Sequence, residues 1–204
     1  MLLLKKKIKV VLASSNQGKI EELNALLADI AIDLIPQSEF GIEDADETGL
    51  TFIENALIKA RHATKLSGLP AIADDSGIVV KALNGAPGVY SARYAGEHGN
   101  AKANIQKLLI DLKDTPADQR EAAFHCTLAF ITNELDPTPI ICEGEWPGSI
   151  LFAPQGDQGF GYDPVFYVPS ENKSVAELSS DIKNKMSHRG IALQALLKRL
   201  PEKL

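Results

Sequence analysis

Ile8-Lys9-Val10-Val11-Leu12-Ala13 runs straight into Ser14-Ser15-Asn16-Gln17-Gly18-Lys19, and this junction decides how the rest of the chain is read. The first six residues are rich in β-branched and apolar side chains. After the loop, Ile20, Leu23, Leu26 and Leu27 recur at helical spacing over Lys19 to Ala28. The order is strand, loop, helix. A loop placed there aims the free N–H groups and partial positive charge of a helix start at whatever approaches it, and Lys19 adds a full charge. Taken alone, the segment is an ordinary polar turn with a solvated lysine. It lacks the GxxxxGK[ST] spacing of a Walker A loop.

Working outward, a second strand is expected at Ile32 to Ile35, followed by an acidic irregular stretch from Pro36 to Thr48. Thr51-Phe52-Ile53-Glu54 is a capping box, and its helix should run to about Leu66. Ala71 to Ala73 and Ile78 to Val80 have strand character, which puts Asp74-Asp75-Ser76-Gly77 on a tight turn between them. Ile105, Leu108, Leu109 and Leu112 mark a helix over Ala101 to Leu112. Phe124 to Ile131 and Ile140 to Glu145 are expected as neighbouring strands across the Asp136-Pro137 turn. A Gly-, Pro- and aromatic-rich region spans Ala153 to Pro169. Ile191, Leu193, Leu196, Leu197 and Leu200 mark a last helix, with the polar segment Lys183 to Arg189 leading into it.

Composition narrows the function classes. The 204 residues, 45% of them hydrophobic, suffice for a sizeable core and fit a single domain, 1–204. The net charge of −6 argues against a broad electrostatic grip on nucleic acid. Cys126 and Cys142 form no CxxC pair and are too few for a disulfide framework, so a reduced cytoplasmic setting is expected. Leu2 to Leu4 precede Lys5 to Lys7, the reverse of a signal peptide's order. No apolar run reaches the roughly 20 residues that span a bilayer, so no membrane partner is expected.

Three further constellations are chemically suggestive. Asn55 and Lys59, four residues apart, share a helix face, and Glu47 and Asp75 supply the one or two carboxylates that Mg²⁺ usually takes from protein. The plain alternative is a polar turn and a surface lysine. Phe160-Gly161-Tyr162-Asp163 offers an aromatic face for a base, although core filling is the usual use of such rings. Ser187-His188-Arg189-Gly190 places a guanidinium fork beside an imidazole ahead of a helix. His62, His98 and His125 share no ligand spacing, and no GxSxG elbow supports acyl chemistry.

In this order the segments closely resemble the inosine/xanthosine triphosphate pyrophosphatases, also called non-standard purine NTP pyrophosphatases or Ham1-like proteins. The resemblance runs from Val11 to Leu197. It is carried by Ser14-x-Asn16-x-x-Lys19, Glu47-Thr48-Gly49 with Glu54-Asn55-Ala56 and Lys59-Ala60-Arg61, and Asp74-Asp75-Ser76-Gly77. It continues through Gly88 to Tyr94, Phe160 to Pro164 and Ser187 to Gly190. Each motif is weak by itself, and the ordered set is specific. Ser15 and Gln158 stand where relatives often have Gly.

The resemblance implies an α/β, mixed-sheet fold of two lobes with a central nucleotide groove, and a homodimer. It implies a substrate-binding set of Ser14, Ser15, Asn16, Gln17, Gly18, Lys19, Ser76, Phe160, Gly161, Tyr162, Asp163, Lys183, His188 and Arg189, with the Ser14 to Lys19 loop on the polyphosphate and Phe160 under the base. Glu47 and Asp75 would bind Mg²⁺; Asp75, Asp74 and Lys59 would form the catalytic group, Asp75 activating water. The reaction implied is hydrolysis of non-standard purine nucleoside triphosphates (dITP/ITP, XTP/dXTP) to the monophosphate and pyrophosphate. The same fold acting on other nucleotides, and a nucleotide sensor without turnover, are the competing readings.

Overall fold

A computed structural model describes residues 7–27 and 32–203. Leu2 to Lys6 and Ala28, which enter the sequence reading, lie outside the described residues. Seven strands form one mixed sheet in the order β2-β1-β3-β4-β5-β6-β7, where β1 is Ile8–Ala13, β2 Ile32–Pro36, β3 Ala71–Val80, β4 Glu121–Ile131, β5 Ile140–Ile150, β6 Phe166–Val168 and β7 Lys173–Ser174. β1 pairs in parallel with β2 and with β3, whereas β5–β6 and β6–β7 are antiparallel. The helices are α1 (Gln17–Leu27), α2 (Phe52–Ser67), α3 (Ala101–Asp111), α4 (Ser180–Met186) and α5 (His188–Arg199). This is an α/β fold.

The chain divides into two compact units. Unit 1 comprises Met1–Asp75, Thr127–Cys142 and Ala192–Leu204, and unit 2 comprises Ser76–Cys126 and Glu143–Ile191. In unit 1, Val10 to Ala13 are all buried, as a parallel strand covered on both faces requires. Ala56, Ala60 and Ala63 give α2 a stripe of small residues that packs with Val11, Ala13, Ala71, Ala73, Ala129 and Ile131. The Thr51 hydroxyl accepts from the Glu54 N–H while the Glu54 carboxylate accepts from the Thr51 N–H, so the expected capping box is formed. Gly68, at φ 69°, closes the helix in the left-handed conformation that favours glycine. After β4, Asp136 accepts from the Thr132 N–H at 3.0 Å, the Thr138 N–H at 2.9 Å and Lys203 Nζ at 2.8 Å.

Unit 2 is built round aromatics. Phe124 and Phe166 lie 4.3 Å apart between ring centres, with Trp146, Tyr162, Val165 and Val168 in the same cluster. Arg120 is fully buried, and among the described residues no carboxylate is one of its hydrogen-bond partners. Instead its guanidinium donates to the carbonyls of Leu112 (2.7 Å), Ile150 (2.8 Å), Leu151 (2.9 Å) and Thr115 (3.4 Å). A planar fork of five donors can satisfy several carbonyls together, which makes the end of α3 and the end of β5 one hydrogen-bonded assembly.

The structure corrects the sequence reading in three places. β3 is continuous from Ala71 to Val80, so Asp74-Asp75-Ser76-Gly77 is strand, not turn. The acids need no exposed turn because lysines from elsewhere in the chain neutralise them. β5 extends to Ile150, beyond the expected Glu145, and the polar run before the last helix is itself helical: Lys183 lies in α4, and α5 already begins at His188.

Candidate active site

Unit 1 gathers the acids and lysines. The loop after β1 is knit by its own side chains: the Asn16 N–H donates to Ser14 Oγ at 3.2 Å and the Lys19 N–H to Asn16 Oδ1 at 3.1 Å. Asn16 thus occupies one of the free donors at the start of α1. Gln17 Nε2 donates to Glu21 Oε1 at 3.0 Å on the same helix, and Gly18 lies in its first turn. The Ser15 hydroxyl donates to Asp44, whose other oxygen takes Gln37 Nε2 at 2.6 Å. Asp44 is the residue the sequence reading missed. It sits in an acidic run, where nothing distinguishes it from its neighbours until the fold brings it to Ser15.

Lys19 spans 55 residues to reach Asp74, donating to its carboxylate and, at 3.3 Å, to its carbonyl. Lys59 Nζ lies 2.8 Å from Glu47 Oε1 and 2.5 Å from Asp75 Oδ1. Glu47, Lys59 and Asp75, predicted as a group, do come together. Burial alone would push the Lys59 ammonium down, but Asp75 and Glu47 together outweigh it and hold the pKa above its ordinary value. Burial pushes the Asp75 carboxyl up, further than Lys59 and Lys19 pull it down. A carboxylate so shifted is a better proton acceptor than a solvated one.

Asp75 Oδ2 is buried and has no hydrogen-bond partner among the described residues. A buried, unpaired carboxylate oxygen is destabilising unless a ligand completes it. No group of three or more His, Cys, Asp or Glu forms a metal cluster among the described residues. Magnesium does not need one: it usually takes one or two protein carboxylates and completes its shell with water and phosphate oxygens. Glu47 with the open oxygen of Asp75 fits that requirement.

Unit 2 gathers the aromatic and cationic residues. Lys183 Nζ is 2.7 Å from Asp163 Oδ2 and lies 4.4 Å above the Phe160 ring centre, and the Arg189 guanidinium carbon is 6.0 Å from the same ring. The Phe160 N–H donates to Asp163 at 2.8 Å. Gly159 makes this geometry possible: at φ 76° a Cβ would meet Asp163 Oδ2 at 2.1 Å. Gly161 is also left-handed, at φ 61°. Arg189 Nη2 donates to the Ser76 hydroxyl at 3.3 Å. Tyr162 donates to the Ser91 carbonyl at 2.9 Å and is buried, which raises its phenol pKa and makes it a support rather than an acid. His188 stacks on Phe124 with ring centres 4.9 Å apart. Phe160, Asp163, Lys183, Ser76 and Arg189 therefore form one cluster, with Tyr162 and His188 anchoring its edges in the core. A separate open cavity of about 830 Å³ in unit 2, lined by Val79, His125, Trp146, Val168 and Met186 among others, contains none of these residues.

The family model of the Ham1 family matches residues 10–199. The chain belongs to the Ham1 family. Among relatives, the dITP/XTP pyrophosphatase of Shigella flexneri is 58% identical over 189 residues, covering 93% of this chain and 96% of that protein. Among solved structures, a HAM1 protein from Coxiella burnetii superposes with a TM-score of 0.88 at 52% identity, covering 96% of this chain and 99% of its own. The Staphylococcus aureus Ham1 protein gives 0.84 at 42% identity, with 96% and 100% covered. At these identities the Ham1-family relationship confirms both the resemblance and the α/β mixed-sheet fold.

Proposed function

We propose that this chain hydrolyses non-standard purine nucleoside triphosphates (dITP and ITP, dXTP and XTP) to the monophosphate and pyrophosphate, and so keeps these bases out of DNA and RNA. The observation that carries this reading is the Lys59 bridge between Glu47 and Asp75 beside the open Asp75 oxygen. Glu47 and Asp75 would hold Mg²⁺. When bound, the ion supplies charge neutralisation on the polyphosphate. Asp75 orients and deprotonates the attacking water. Lys59 and Lys19 offset developing negative charge, with Asp74 fixing the Lys19 ammonium. Ser14 to Lys19 present the start of α1 to phosphate oxygens.

In unit 2, Phe160 supplies a stacking face and Arg189 a donor for the 6-oxo group shared by hypoxanthine and xanthine. Adenine's 6-amino group would leave that donor unpaired, at about 1–3 kcal/mol, or roughly ten- to a hundredfold. Asp163, Lys183 and Ser76 hold the stacking face and the fork in place. A homodimer is the assembly the resemblance implies. The two free cysteines, Cys126 and Cys142, are consistent with the reducing cytoplasm. No helix among the described residues is long and apolar enough to cross a membrane.

The test is pyrophosphate release from inosine, xanthosine, guanosine and adenosine triphosphates, each with Mg²⁺ and with chelator. Fast metal-dependent release from the first two alone is expected. Equal rates on all four would remove the base-reading argument, and no release with tight binding would make the chain a sensor.

A further inference from the structure

We propose that Asn55 is a positioning residue that sets the Glu47 carboxylate through the backbone of Gly49; the inference rests on the reading of Glu47 as a metal ligand. Asn55 lies in the first turn of α2 with none of its surface exposed. Its Oδ1 accepts the Gly49 N–H at 2.8 Å. The neighbouring Glu54 carboxylate takes the next two N–H groups, Leu50 at 2.8 Å and Thr51 at 2.9 Å. Two adjacent side chains thus capture three successive backbone donors and strap the segment after Glu47 to the helix start.

Gly49 permits this approach for steric reasons and not for its φ. A Cβ there would lie 2.5 Å from Glu54 Cβ and 2.7 Å from Asn55 Oδ1. One helical turn beyond Asn55 and on the same face, Lys59 holds the Glu47 carboxylate itself. Glu47 is therefore fixed twice, by its charge through Lys59 and by its backbone through Asn55. The two tethers differ when a divalent cation arrives. A cation held by Glu47 would compete with the Lys59 ammonium for the carboxylate, whereas it would leave the neutral Asn55–Gly49 bond untouched. Asn55 Nδ2, moreover, is buried with no hydrogen-bond partner among the described residues. An amide that leaves a buried donor unpaired is a poor choice for helix stability alone.

The experiment measures Mn²⁺ affinity of the full chain, by the paramagnetic resonance signal of free Mn²⁺, for the parent, Asn55→Ala, Gly49→Ala, the double variant and Glu47→Gln. Groups that orient a metal ligand typically change affinity by about 10- to 100-fold when removed. Asn55→Ala and Gly49→Ala are each expected to weaken Mn²⁺ binding by about tenfold or more. Because Gly49→Ala already displaces the Asn55–Gly49 contact, adding Asn55→Ala should make the double variant no weaker than Gly49→Ala alone. Gly49→Ala attacks the contact from the loop side and serves should Asn55→Ala fail to fold. If both singles bind Mn²⁺ as the parent does while Glu47→Gln is impaired, the positioning role is overturned and the metal reading stands. If Glu47→Gln also binds normally, the metal reading falls and takes the positioning role with it. Losses that multiply in the double variant would overturn the route through Gly49.

Discussion

Two buried lysine–carboxylate pairs, one in each unit, are alike in distance and unlike in completeness. In unit 2, the Asp163 oxygen that meets Lys183 also accepts the Phe160 N–H, and Gly159 leaves no room beside it for a side chain. In unit 1, Asp75 gives one oxygen to Lys59 and leaves the other buried and without a partner among the described residues. Desolvating an ion pair is repaid only when the remaining polar positions are also satisfied. A completed pair is scaffold, and it holds Phe160 beneath two cations. An incomplete pair is poised for something that is not protein. On the proposed reading, the satisfied pair shapes the base site and the open pair performs the chemistry, although their charges are the same.

The contrast breaks most visibly at Asp75. On the proposed reading, Asp75→Asn removes the proton acceptor and a metal charge while leaving unit 2 intact, so turnover should fall by about 10²- to 10⁴-fold with nucleotide binding largely kept. Pyrophosphate release set against nucleotide titration reads this, and normal turnover would place water activation elsewhere. Asp163→Ala should do the reverse, acting first on the fold. It takes the carboxylate away from the Lys183 ammonium and the Phe160 N–H, and breaking a buried pair from one side costs about 3–5 kcal/mol. Urea unfolding measures that loss, and a drop below about 1 kcal/mol would mean the pair is not the scaffold described here.

A third pair, Asp136 with Lys203, sharpens the comparison with a smaller effect. Burial would raise the Asp136 carboxyl, but Lys203 and the N–H groups of Thr132 and Thr138 outweigh it and hold the carboxyl well below the usual range. A group depressed in the folded state contributes its stability above its unfolded value of about 3.9 and loses it as pH falls further. Asp136→Asn should therefore cost about 1.5–3 kcal/mol near neutrality, and the gap in thermal midpoint to the parent should close below about pH 4. A gap independent of pH would show that the charge on Asp136 contributes nothing.

Much of this was legible in the sequence because local rules carried it. The periodicity after Lys19, the Thr51–Glu54 box and the helix over Ala101 to Leu112 depend on neighbours a few positions away, and each forms close to where it is expected. Residue type and helix spacing offered the grouping of Glu47, Lys59 and Asp75 as one of two open readings, and the ordered motifs decided between them. What failed was decided over long separations. Asp74-Asp75-Ser76-Gly77 has the composition of a turn, and Lys19 and Lys59, arriving from other elements, help the acids to be buried in a strand. The Ser15–Asp44 contact is invisible for the same reason, since 29 residues separate a common serine from a common acid.

The Arg120 guanidinium has a kinetic consequence of its own. Its donors close on carbonyls at the end of α3 and the end of β5, and the Arg120 carbonyl in turn accepts the Ile150 N–H at 2.9 Å. Segments pinned by one side chain open together or not at all. The amides of Leu112, Thr115 and Ile150 should accordingly exchange with solvent as a single slow-opening group, although they lie in stretches far apart along the chain.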